Sequence, residues 1–450
     1  MYDFMVIGGG SGGYAAAMRA RQLGARVMVV ESSEIGGTCV NRGCIPSKIW
    51  HHAACYLRSI ESAKAFGIAL ALKNMDLGAV VSRKNGVIAD IRLGMESVLK
   101  KAGVNLVKGH ATFENTGEVN VEGKRIHADK IVLATGSSLS VPDIPGLKEV
   151  LFTTDELLDM EEVPSPALVL GGGPFEVEMA SLLSSFGSTV SLVTETPKIL
   201  PGEDGDTRQR ISQALRDNDI EVNVNSRLGL VRKARNEYEA ILEGKEEQGI
   251  KVKKVLVCSR RPNTNESNLE NIGVRVNDDG SVWVNERLET SVDGVYAIGD
   301  VTGGWMLSHA ASAMGICAAE NALGGEKIFC SRLVPRGLWT YPEVGAVGLS
   351  EAEAESEGLD IEVGDYPYSM NGLAIAENEM KGGIKIISDA RYGEILGVHI
   401  VGARATELIG EAALAMQLEC TVSELAYTLR VHPTFSEGVV EAARDSAGWQ

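Results

Sequence analysis

The chain has 450 residues, of which 44% are hydrophobic and 51 are glycine, and its formal net charge is −18. This length is enough for roughly three or four domains, and an acidic balance argues against nucleic acid as a partner because phosphate binding needs basic surface. The N-terminus enters a predicted strand directly, and no uncharged apolar stretch reaches the ~18 residues of a membrane span. We therefore expect a cytoplasmic protein with no membrane partner.

A dinucleotide-binding pattern opens the chain. Its parts are, in order, a strand at 2–7, the glycines Gly8, Gly10 and Gly13, a helix at 14–23, a strand at 26–30 and the acid Glu31. In this pattern the first glycine makes a tight turn, the second lets a pyrophosphate approach the backbone, and the third lets the helix pack on the strand. The helix N-terminus faces the pyrophosphate and the acid suits a ribose diol. We therefore predict a nucleotide site here.

Two cysteines follow closely, in the run GGTCVNRGCIPSK at 36–48. Four residues separate Cys39 from Cys44, few enough for a disulfide to close across one turn. Cys44 opens a predicted helix, and a helix N-terminus carries about half a positive charge, which favours a thiolate. Because a thiolate beside a flavin can exchange electrons with it, the pair predicts a redox site. The other cysteines are scattered and are expected to be mostly buried small hydrophobic residues: Cys55, Cys258, Cys317, Cys330 and Cys420.

A second, altered dinucleotide pattern follows the predicted strand at 167–170. Gly171 and Gly173 occupy the first two glycine positions, but the third position holds Glu176. The acid expected at the end of the next strand is replaced by Thr194, with Glu195 immediately after it. No arginine between residues 190 and 200 is available for a 2′-phosphate, so a nicotinamide cofactor at this site is expected to be NAD rather than NADP.

Glu176 changes the expected phosphate contact. A carboxylate in the first helical turn can satisfy the same free N–H groups that a pyrophosphate would use. Two like charges about 4 Å apart repel by about 1 kcal/mol in water and by about 4 kcal/mol at an effective dielectric constant near 20. Two orientations stay open: the side chain points to solvent with a small loss of NAD affinity, or it lies in the site and seriously impairs binding.

Later motifs complete the pattern. Thr135 and Gly136 follow a predicted strand at 130–133 and close the first nucleotide domain, and Asp300 ends a strand where an acid can bind a chain of hydroxyls. Near the C-terminus, Glu437 can hold the imidazole of His432 in one tautomer, which makes a general base for a thiol. A His-Pro pair alone is more often a structural turn, but the upstream cysteines favour the catalytic interpretation.

These motifs carry a family resemblance. GGGSGG, GGTCVNRGCIPSK, ATG, RRPNT, YAIGDVTGG, GVHIVGARATELIGEAALAM and HPTFSE occur in this order along the whole chain. The chain resembles the flavoprotein disulfide reductases, or pyridine nucleotide-disulfide oxidoreductases, and among them the dihydrolipoamide dehydrogenases. The resemblance implies an α/β fold with two Rossmann-like domains, for FAD and NAD, a central domain and an α+β dimerisation domain. The implied domains are FAD-binding 1–145, NAD-binding 146–265, central 266–330 and interface 331–450.

The resemblance also assigns roles to residues. It implies tightly bound FAD held by a set drawn from the first pattern and the later motifs: Gly8, Gly10, Gly13, Glu31, Thr38, Lys48, Thr135, Gly136 and Asp300. Cys39 would exchange with substrate and Cys44 would contact the flavin, with Lys48 paired to Glu178. His432 would be the base, Glu437 would orient it, and both would come from the other subunit of a homodimer. The implied NAD site comprises Gly171, Gly173, Glu178, Thr194 and Glu195.

The implied reaction is oxidation of dihydrolipoyl groups on a lipoyl-carrying protein, through the Cys39–Cys44 disulfide and FAD, with NAD⁺ as acceptor. The second nucleotide site departs from the family at four places: Pro174-Phe175, Glu176, Thr194 and Ser259. An alternative is therefore a specialised lipoamide-type flavoprotein with impaired NAD binding that uses another acceptor or donor. A non-catalytic flavin-binding subunit is a further alternative, which the retained redox residues disfavour. Trp50 and Trp305 are unusual near the disulfide and flavin, and packing is the expected reason.

Overall fold

The computed structural model describes residues 1–235, 237–265 and 267–449. Within this part of the chain, two mainly parallel sheets with flanking helices precede an antiparallel sheet that also carries helices. The predicted α/β fold class with two Rossmann-like units is confirmed. The exact domain limits stay a prediction.

The first nucleotide fold is built from the N-terminal third of the chain. Its elements are β1 (Tyr2–Ile7), α1 (Ser11–Gln22), β2 (Val27–Glu31), α2 (Gly37–Arg42), α3 (Cys44–Ser62), α4 (Leu77–Ala102), β3 (Asn105–Lys108), β4 (Ala111–Asn115), β5 (Glu118–Val121), β6 (Lys124–Leu133) and β7 (Ser137–Leu139). The strand order is β3-β2-β1-β6-β5-β4, parallel from β3 to β6 and antiparallel beyond it. Strand β1 is confirmed at its predicted bounds, and its last four residues are buried, as a central parallel strand requires.

The second nucleotide fold has a smaller sheet and an added meander. Its elements are β8 (Leu151–Thr153), α5 (Thr154–Leu158), β9 (Ala167–Leu170), α6 (Pro174–Ser185), β10 (Val190–Val193), α7 (Gly205–Asp217), β11 (Glu221–Asn223), β12 (Arg227–Ala234), β13 (Glu237–Glu243), β14 (Gln248–Val252), β15 (Lys254–Val257) and β16 (Arg260–Pro262). The parallel order β11-β10-β9-β15-β8 places the carboxyl ends of β9, β10 and β15 side by side, where α/β sheets bind nucleotides. The meander is β12-β13-β14.

The next segment rejoins the first sheet. Strand β17 (Val295–Ala297) pairs in parallel with β6, and helix α8 (Ser308–Ala322) packs along α1. The segment expected to form the central domain therefore adds a strand and a helix to the first nucleotide fold. Asp300 lies just after β17, in a short 3₁₀ helix at Gly299–Thr302 rather than in the predicted strand.

The C-terminal region is an antiparallel sheet carrying helices. Its elements are β18 (Arg336–Leu338), β19 (Val344–Gly348), α9 (Glu351–Ser356), β20 (Ile361–Pro367), α10 (Gly372–Ala376), β21 (Gly383–Asp389), β22 (Ile395–Val401), α11 (Ala405–Gln417), α12 (Val422–Tyr427) and α13 (Glu437–Ser446). The strand order is β18-β19-β22-β21-β20, with α11 and α13 packed on it. Among the residues described, no helix combines the length and apolar character needed to cross a bilayer.

Trp50 belongs to a core shared by the two nucleotide folds. Its side chain on α3 is fully buried, donates a hydrogen bond from Nε1 to the Leu158 carbonyl oxygen at 2.9 Å, and packs edge-on against Phe186. Packing is therefore the reason for this tryptophan, as expected. The prediction for the scattered cysteines is partly wrong: Cys258 and Cys317 are buried, Cys420 is half-buried, and Cys55 and Cys330 are exposed.

Candidate active site

The first glycine loop has the shape that a dinucleotide needs. Gly8 has φ +108°, and a Cβ there would overlap the Ala134 carbonyl oxygen. A Cβ on Gly13 would likewise overlap the Gly8 oxygen. At Gly10, by contrast, the nearest atom to an added Cβ is the Gly37 Cα at 3.8 Å. The loop is thus closed toward the sheet and open at Gly10, a cradle that fits the pyrophosphate of FAD.

The polar groups expected around FAD are linked by hydrogen bonds. Glu31 accepts from the Gly9 N–H at 2.6 Å and the Ser33 N–H at 2.7 Å, which fixes it at the end of β2. Asp300 accepts from the Ser137 hydroxyl at 2.6 Å. Both acids are therefore held in place by groups of the first nucleotide fold.

Arg260 is a residue that the sequence analysis missed. It donates from Nε to the Ser137 hydroxyl at 2.8 Å and from a terminal nitrogen to the Thr38 hydroxyl at 3.2 Å. Its position on β16, which pairs with β7, brings it from the second nucleotide fold to the first. Thr135 also connects the folds, because its hydroxyl donates to the Asn263 carbonyl oxygen at 2.8 Å. These contacts could not be predicted from the sequence, because they depend on the pairing of strands that are far apart along the chain.

Cys39 lies on α2, and Cys44 is the first residue of α3. Both are free thiols, and they lie within hydrogen-bond distance of each other. The hydrogen bond from Cys44 lowers the pKa of Cys39 to about 6, with help from the Ser308 and Ser11 hydroxyls and against burial. The same hydrogen bond raises the pKa of Cys44. In this dithiol form the hydrogen bond between the two thiols therefore favours a thiolate on Cys39.

Lys48 and Glu178 form the expected pair. Lys48 Nζ donates to Glu178 Oε1 at 2.7 Å and lies 3.7 Å from the centre of the Trp339 ring. The buried Glu178 carboxylate also contacts His51 Nε2 at 3.0 Å and accepts from the Trp339 N–H. Burial alone raises the pKa of Glu178, but Lys48 and His51 outweigh it and lower that pKa to about 2. Glu178, which was expected in the NAD site, therefore lies on the side of α6 that faces Lys48. The contact of His51 with Glu178 was not predicted from the sequence.

His432 is held by Glu437 as predicted. His432 Nδ1 lies 2.8 Å from Glu437 Oε1, and the second carboxylate oxygen accepts from the Thr434 N–H at 2.8 Å. These hydrogen bonds lower the pKa of Glu437, that from Thr434 more than that from His432. The imidazole itself is 80% exposed, so its other nitrogen is free to face a molecule outside this chain.

An apolar surface leads up to His432. Three large side chains in the segment before it are exposed: Tyr427 at 75%, Leu429 at 94% and Val431 at 77%. Apolar groups grouped in this way mark a surface that another protein covers.

The second nucleotide fold holds a cleft of about 590 Å³ at the carboxyl ends of β9, β10 and β15. Gly171, Thr194, Glu195 and Ser259 line it. The Thr194 hydroxyl binds that of Thr196 at 2.8 Å. Of the expected NAD residues, the cleft thus brings together Gly171, Thr194 and Glu195, whereas Gly173 and Glu178 do not line it. Its position and size fit a dinucleotide.

One basic residue of this cleft lies outside the window that the sequence analysis searched for a 2′-phosphate partner. Arg227 on β12 lines the cleft, and its Nε donates to Glu243 at 2.7 Å. Because Glu243 offsets this charge, the preference for NAD over NADP stands.

Glu176 points inward, so the solvent-facing orientation considered above is wrong. The side chain is 6% exposed and folds back over the glycine loop: a Cβ on Gly173 would lie 2.7 Å from its Oε2. The reason is that the loop offers N–H groups of Gly173 and Glu176, and Ser259 on the neighbouring segment offers a hydroxyl. Burial outweighs these groups and raises the pKa of the carboxyl.

Fold and site together define a flavin-dependent disulfide oxidoreductase: a nucleotide cradle, an adjacent cysteine pair and a second nucleotide cleft. The chain belongs to the pyridine nucleotide-disulphide oxidoreductase family, which residues 2–315 match. Residues 334–443 match the dimerisation domain of the same family.

Relatives and solved structures agree with this family. A dihydrolipoyl dehydrogenase of Thermus scotoductus is 39% identical, over 98% of this chain and 96% of the relative. One of Bacillus subtilis is 35% identical over 98% of both chains. Among solved structures, LpdA from Mycobacterium tuberculosis has a TM-score of 0.89 at 26% identity, over 98% of this chain and 99% of that one. The HOCl-induced flavoprotein disulfide reductase RclA from Escherichia coli, in its Cu(II) complex, has a TM-score of 0.86 at 28% identity, over 98% of both chains.

Proposed function

We propose that this chain oxidises protein-bound dihydrolipoyl groups and passes the electrons through Cys39, Cys44 and FAD to NAD⁺. The observation that carries the proposal is the cysteine pair, whose first thiol has a pKa lowered to about 6 beside a cradle that fits FAD. The relatives named as dihydrolipoyl dehydrogenases support the substrate. They do not favour the alternative in which another acceptor replaces NAD⁺.

The thiol half of the reaction is an exchange between two dithiols. His432 takes a proton from one dihydrolipoyl thiol, and the thiolate attacks Cys39 in the oxidised Cys39–Cys44 disulfide. The second dihydrolipoyl thiol then attacks the substrate sulfur bonded to Cys39, which releases a lipoyl disulfide and leaves the two cysteines reduced, one as a thiol that takes the second proton and one as a thiolate. Two electrons have moved from substrate to protein, and one proton rests on the imidazole, which the Glu437 carboxylate stabilises.

FAD, when bound, supplies the two-electron carrier between the dithiol and NAD⁺. Gly8, Gly10, Gly13 and Glu31 would hold its adenosine diphosphate part, while Thr38, Thr135, Gly136 and Asp300 would hold the remainder with Lys48. Arg260 orients Thr38 directly, and it also donates to Ser137, whose hydroxyl binds Asp300. The whole reaction is balanced as dihydrolipoyl dithiol plus NAD⁺ giving lipoyl disulfide, NADH and a proton.

The proposal includes a homodimer in which each active site uses His432 of the partner subunit. The match to a dimerisation domain supports a dimer, and the exposed apolar side chains before His432 give it a surface to bury. The exposed imidazole, held by Glu437 in its own chain, is then presented to a second chain. The lipoyl-carrying partner and the cytoplasmic location stay predictions.

A mixed-dimer experiment tests the shared site. Subunits carrying Cys44→Ser and subunits carrying His432→Ala are each inactive as homodimers under the proposal. When the two kinds of subunit are dissociated and reassembled together, they form heterodimers. One of the two sites in each heterodimer then has both Cys44 and His432 intact, so each heterodimer should show about half the activity of the wild-type dimer. No recovery on mixing, with heterodimers verified by mass spectrometry, would contradict the arrangement.

A further inference from the structure

The Glu176 side chain occupies the glycine loop of the second nucleotide fold. A Cβ added at Gly171 would lie 2.8 Å from Glu176 Cγ and 3.3 Å from Oε1, and one added at Gly173 would lie 2.7 Å from Oε2. The carboxyl therefore covers the loop from the first glycine to the second. In this fold the first glycine makes the tight turn, and the second is the position where the backbone comes close to a bound pyrophosphate.

The groups that the carboxyl uses are those that a phosphate would use. The N–H groups of Gly173 and of Glu176 itself, at the start of α6, and the Ser259 hydroxyl lie near enough to the carboxyl to offset part of the rise in its pKa that burial causes. N–H groups at a helix N-terminus bind anions because they have no partner within the helix. Glu176 and Ser259 come from separate segments, so the fold has assembled an internal partner for this loop from two parts of the chain.

The charges around Glu176 do not offset a second anion. The titratable neighbour on β15 is Cys258, a buried thiol whose pKa is raised by burial and by the carboxylates of Glu176 and Glu178. Glu178, two residues further along α6, is balanced by Lys48 and His51 from α3. Two arginines on elements that pack against α6 are engaged away from the loop: Arg58 with Ser185 and Arg336 with Glu203.

We propose that the Glu176 carboxyl is a built-in competitor for the dinucleotide pyrophosphate, and that nucleotide binding to this fold is coupled to uptake of a proton by Glu176. The inference rests on the proposed function, since it assigns the second fold to NAD. A neutral carboxyl shares the loop with a phosphate and donates to it. An ionised carboxyl repels the phosphate and competes for the same N–H groups.

The sign of the pH dependence follows. Bound phosphate raises the proton affinity of the carboxyl, so the bound state holds more protons than the free state. Affinity is then highest at low pH and weakens as the pH rises through the range in which Glu176 ionises, by up to about tenfold per pH unit. Burial, with no cation facing the carboxyl among the residues that the structure describes, places this range above that of an ordinary glutamate.

Calorimetric titration of the FAD-loaded protein with ADP-ribose tests the proposal. ADP-ribose carries the pyrophosphate but no nicotinamide, so its binding is measured without any redox step. Titrations in two buffers of different ionisation enthalpy give the number of protons taken up at each pH. We expect uptake approaching one proton per site and an affinity that weakens with pH. Adenosine, which lacks the pyrophosphate, is expected to show neither effect.

Two variants distinguish an effect of the Glu176 carboxyl from an effect of the overall negative charge of the cleft. Glu176→Gln keeps the shape without a titrating proton, so it should bind ADP-ribose with one affinity at all pH values and without proton uptake. Asp143→Asn removes an equal charge from an exposed residue of the same cleft and should leave the pH dependence of the wild type. The same loss of pH dependence in both variants would assign the effect to the charge of the whole cleft and overturn the proposal.

The two possible failures are distinguishable. If wild-type protein binds ADP-ribose with no proton uptake and constant affinity, Glu176 is not a competitor, while the NAD assignment stands. If neither wild-type protein nor Glu176→Gln binds ADP-ribose at any pH, the second fold does not take a dinucleotide, and both this inference and the NAD⁺ part of the proposed function are wrong.

Discussion

Lys48 Nζ donates to Glu178 Oε1 at 2.7 Å, which joins helix α3 of the first nucleotide fold to helix α6 of the second. The carboxylate is buried and stays charged, because Lys48 and His51 lower its pKa to about 2. In the proposed FAD site Lys48 lies beside the flavin, so the fixed carboxylate behind it would help to set the charge that the flavin experiences. The pair therefore links the redox centre to the helix that carries the second nucleotide loop.

Glu178→Gln should raise the midpoint potential of the bound flavin. The substitution keeps the side-chain shape but leaves the Lys48 ammonium without its counter-charge, and an added positive charge favours the electron-rich form. We expect a shift on the order of 30 mV, equivalent to about 1.4 kcal/mol for a two-electron couple. The control is Glu61→Gln, which breaks an exposed pair with Lys64. Equal potentials in wild type and Glu178→Gln would reject the electrostatic role of this pair.

Replacing either cysteine of the pair should abolish turnover with dihydrolipoamide. Cys39→Ser removes the sulfur that substrate attacks, and Cys44→Ser removes the sulfur that completes the disulfide. Steady-state NADH formation from dihydrolipoamide measures the effect. Cys55→Ser is the matched control, since Cys55 is an exposed thiol on α3, the helix that begins at Cys44. Full turnover in Cys44→Ser would show that the reaction does not use this disulfide.

The dithiol enzyme should be alkylated at unusually low pH. The hydrogen bond from Cys44 lowers the pKa of Cys39 to about 6, against a usual value of 9.0 for a thiol. The reactive thiolate is therefore present above about pH 6 and lost below it. Iodoacetamide rates, followed by mass spectrometry of the reduced protein, should show their midpoint there. A midpoint near the usual value would mean that Cys44 does not stabilise the Cys39 thiolate.

His432→Ala should slow the reaction with dihydrolipoamide far more than flavin reduction by NADH. A positioned general base contributes roughly 10²- to 10⁴-fold to a proton transfer, and only the thiol half of the reaction needs that transfer. Stopped-flow measurement of the two half-reactions separates them, with exposed His110→Ala as control. Glu437→Gln should have a smaller effect in the same direction. Equal losses in both half-reactions would exclude His432 as the base.

Removing one partner of the buried ion pair between the second nucleotide fold and the C-terminal region should strongly destabilise the protein. Arg336 on β18 donates to Glu203 at 3.0 Å, and both side chains are buried. Arg336→Leu leaves Glu203 unpaired and should reduce the free energy of unfolding by about 3 to 5 kcal/mol. Arg332→Leu, which breaks an exposed pair with Glu357, should cost about 1 kcal/mol or less. Urea denaturation measures both, and equal losses would contradict the argument.

The parts of the fold that could be predicted are those that local pattern determines. The strand Tyr2–Ile7 and the glycine loop after it depend on a buried run and on positive φ at Gly8, both of which sequence spacing reveals. The His432–Glu437 contact could be predicted for the same reason, since five residues across a turn bring the two side chains together.

Contacts between distant segments could not be predicted in this way. Arg260 reaches Thr38 only because β16 pairs with β7, and His51 reaches Glu178 only because α3 packs on α6. The inward orientation of Glu176 likewise depends on Ser259, which follows a strand far along the chain. Sequence reasoning recognised that both residues depart from the family pattern, but it could not show that they face each other.

The most direct test of the account is anaerobic titration of the purified FAD-loaded protein, once with dihydrolipoamide and once with NADH, while the visible spectrum is recorded. The account predicts that each reductant delivers two electrons that come to rest on the cysteine pair, so that a thiolate beside oxidised flavin produces a long-wavelength charge-transfer band. The band should be absent in Cys44→Ser. Failure of dihydrolipoamide to reduce the protein would contradict the proposed substrate, and reduction by dihydrolipoamide but not by NADH would contradict NAD⁺ as the acceptor.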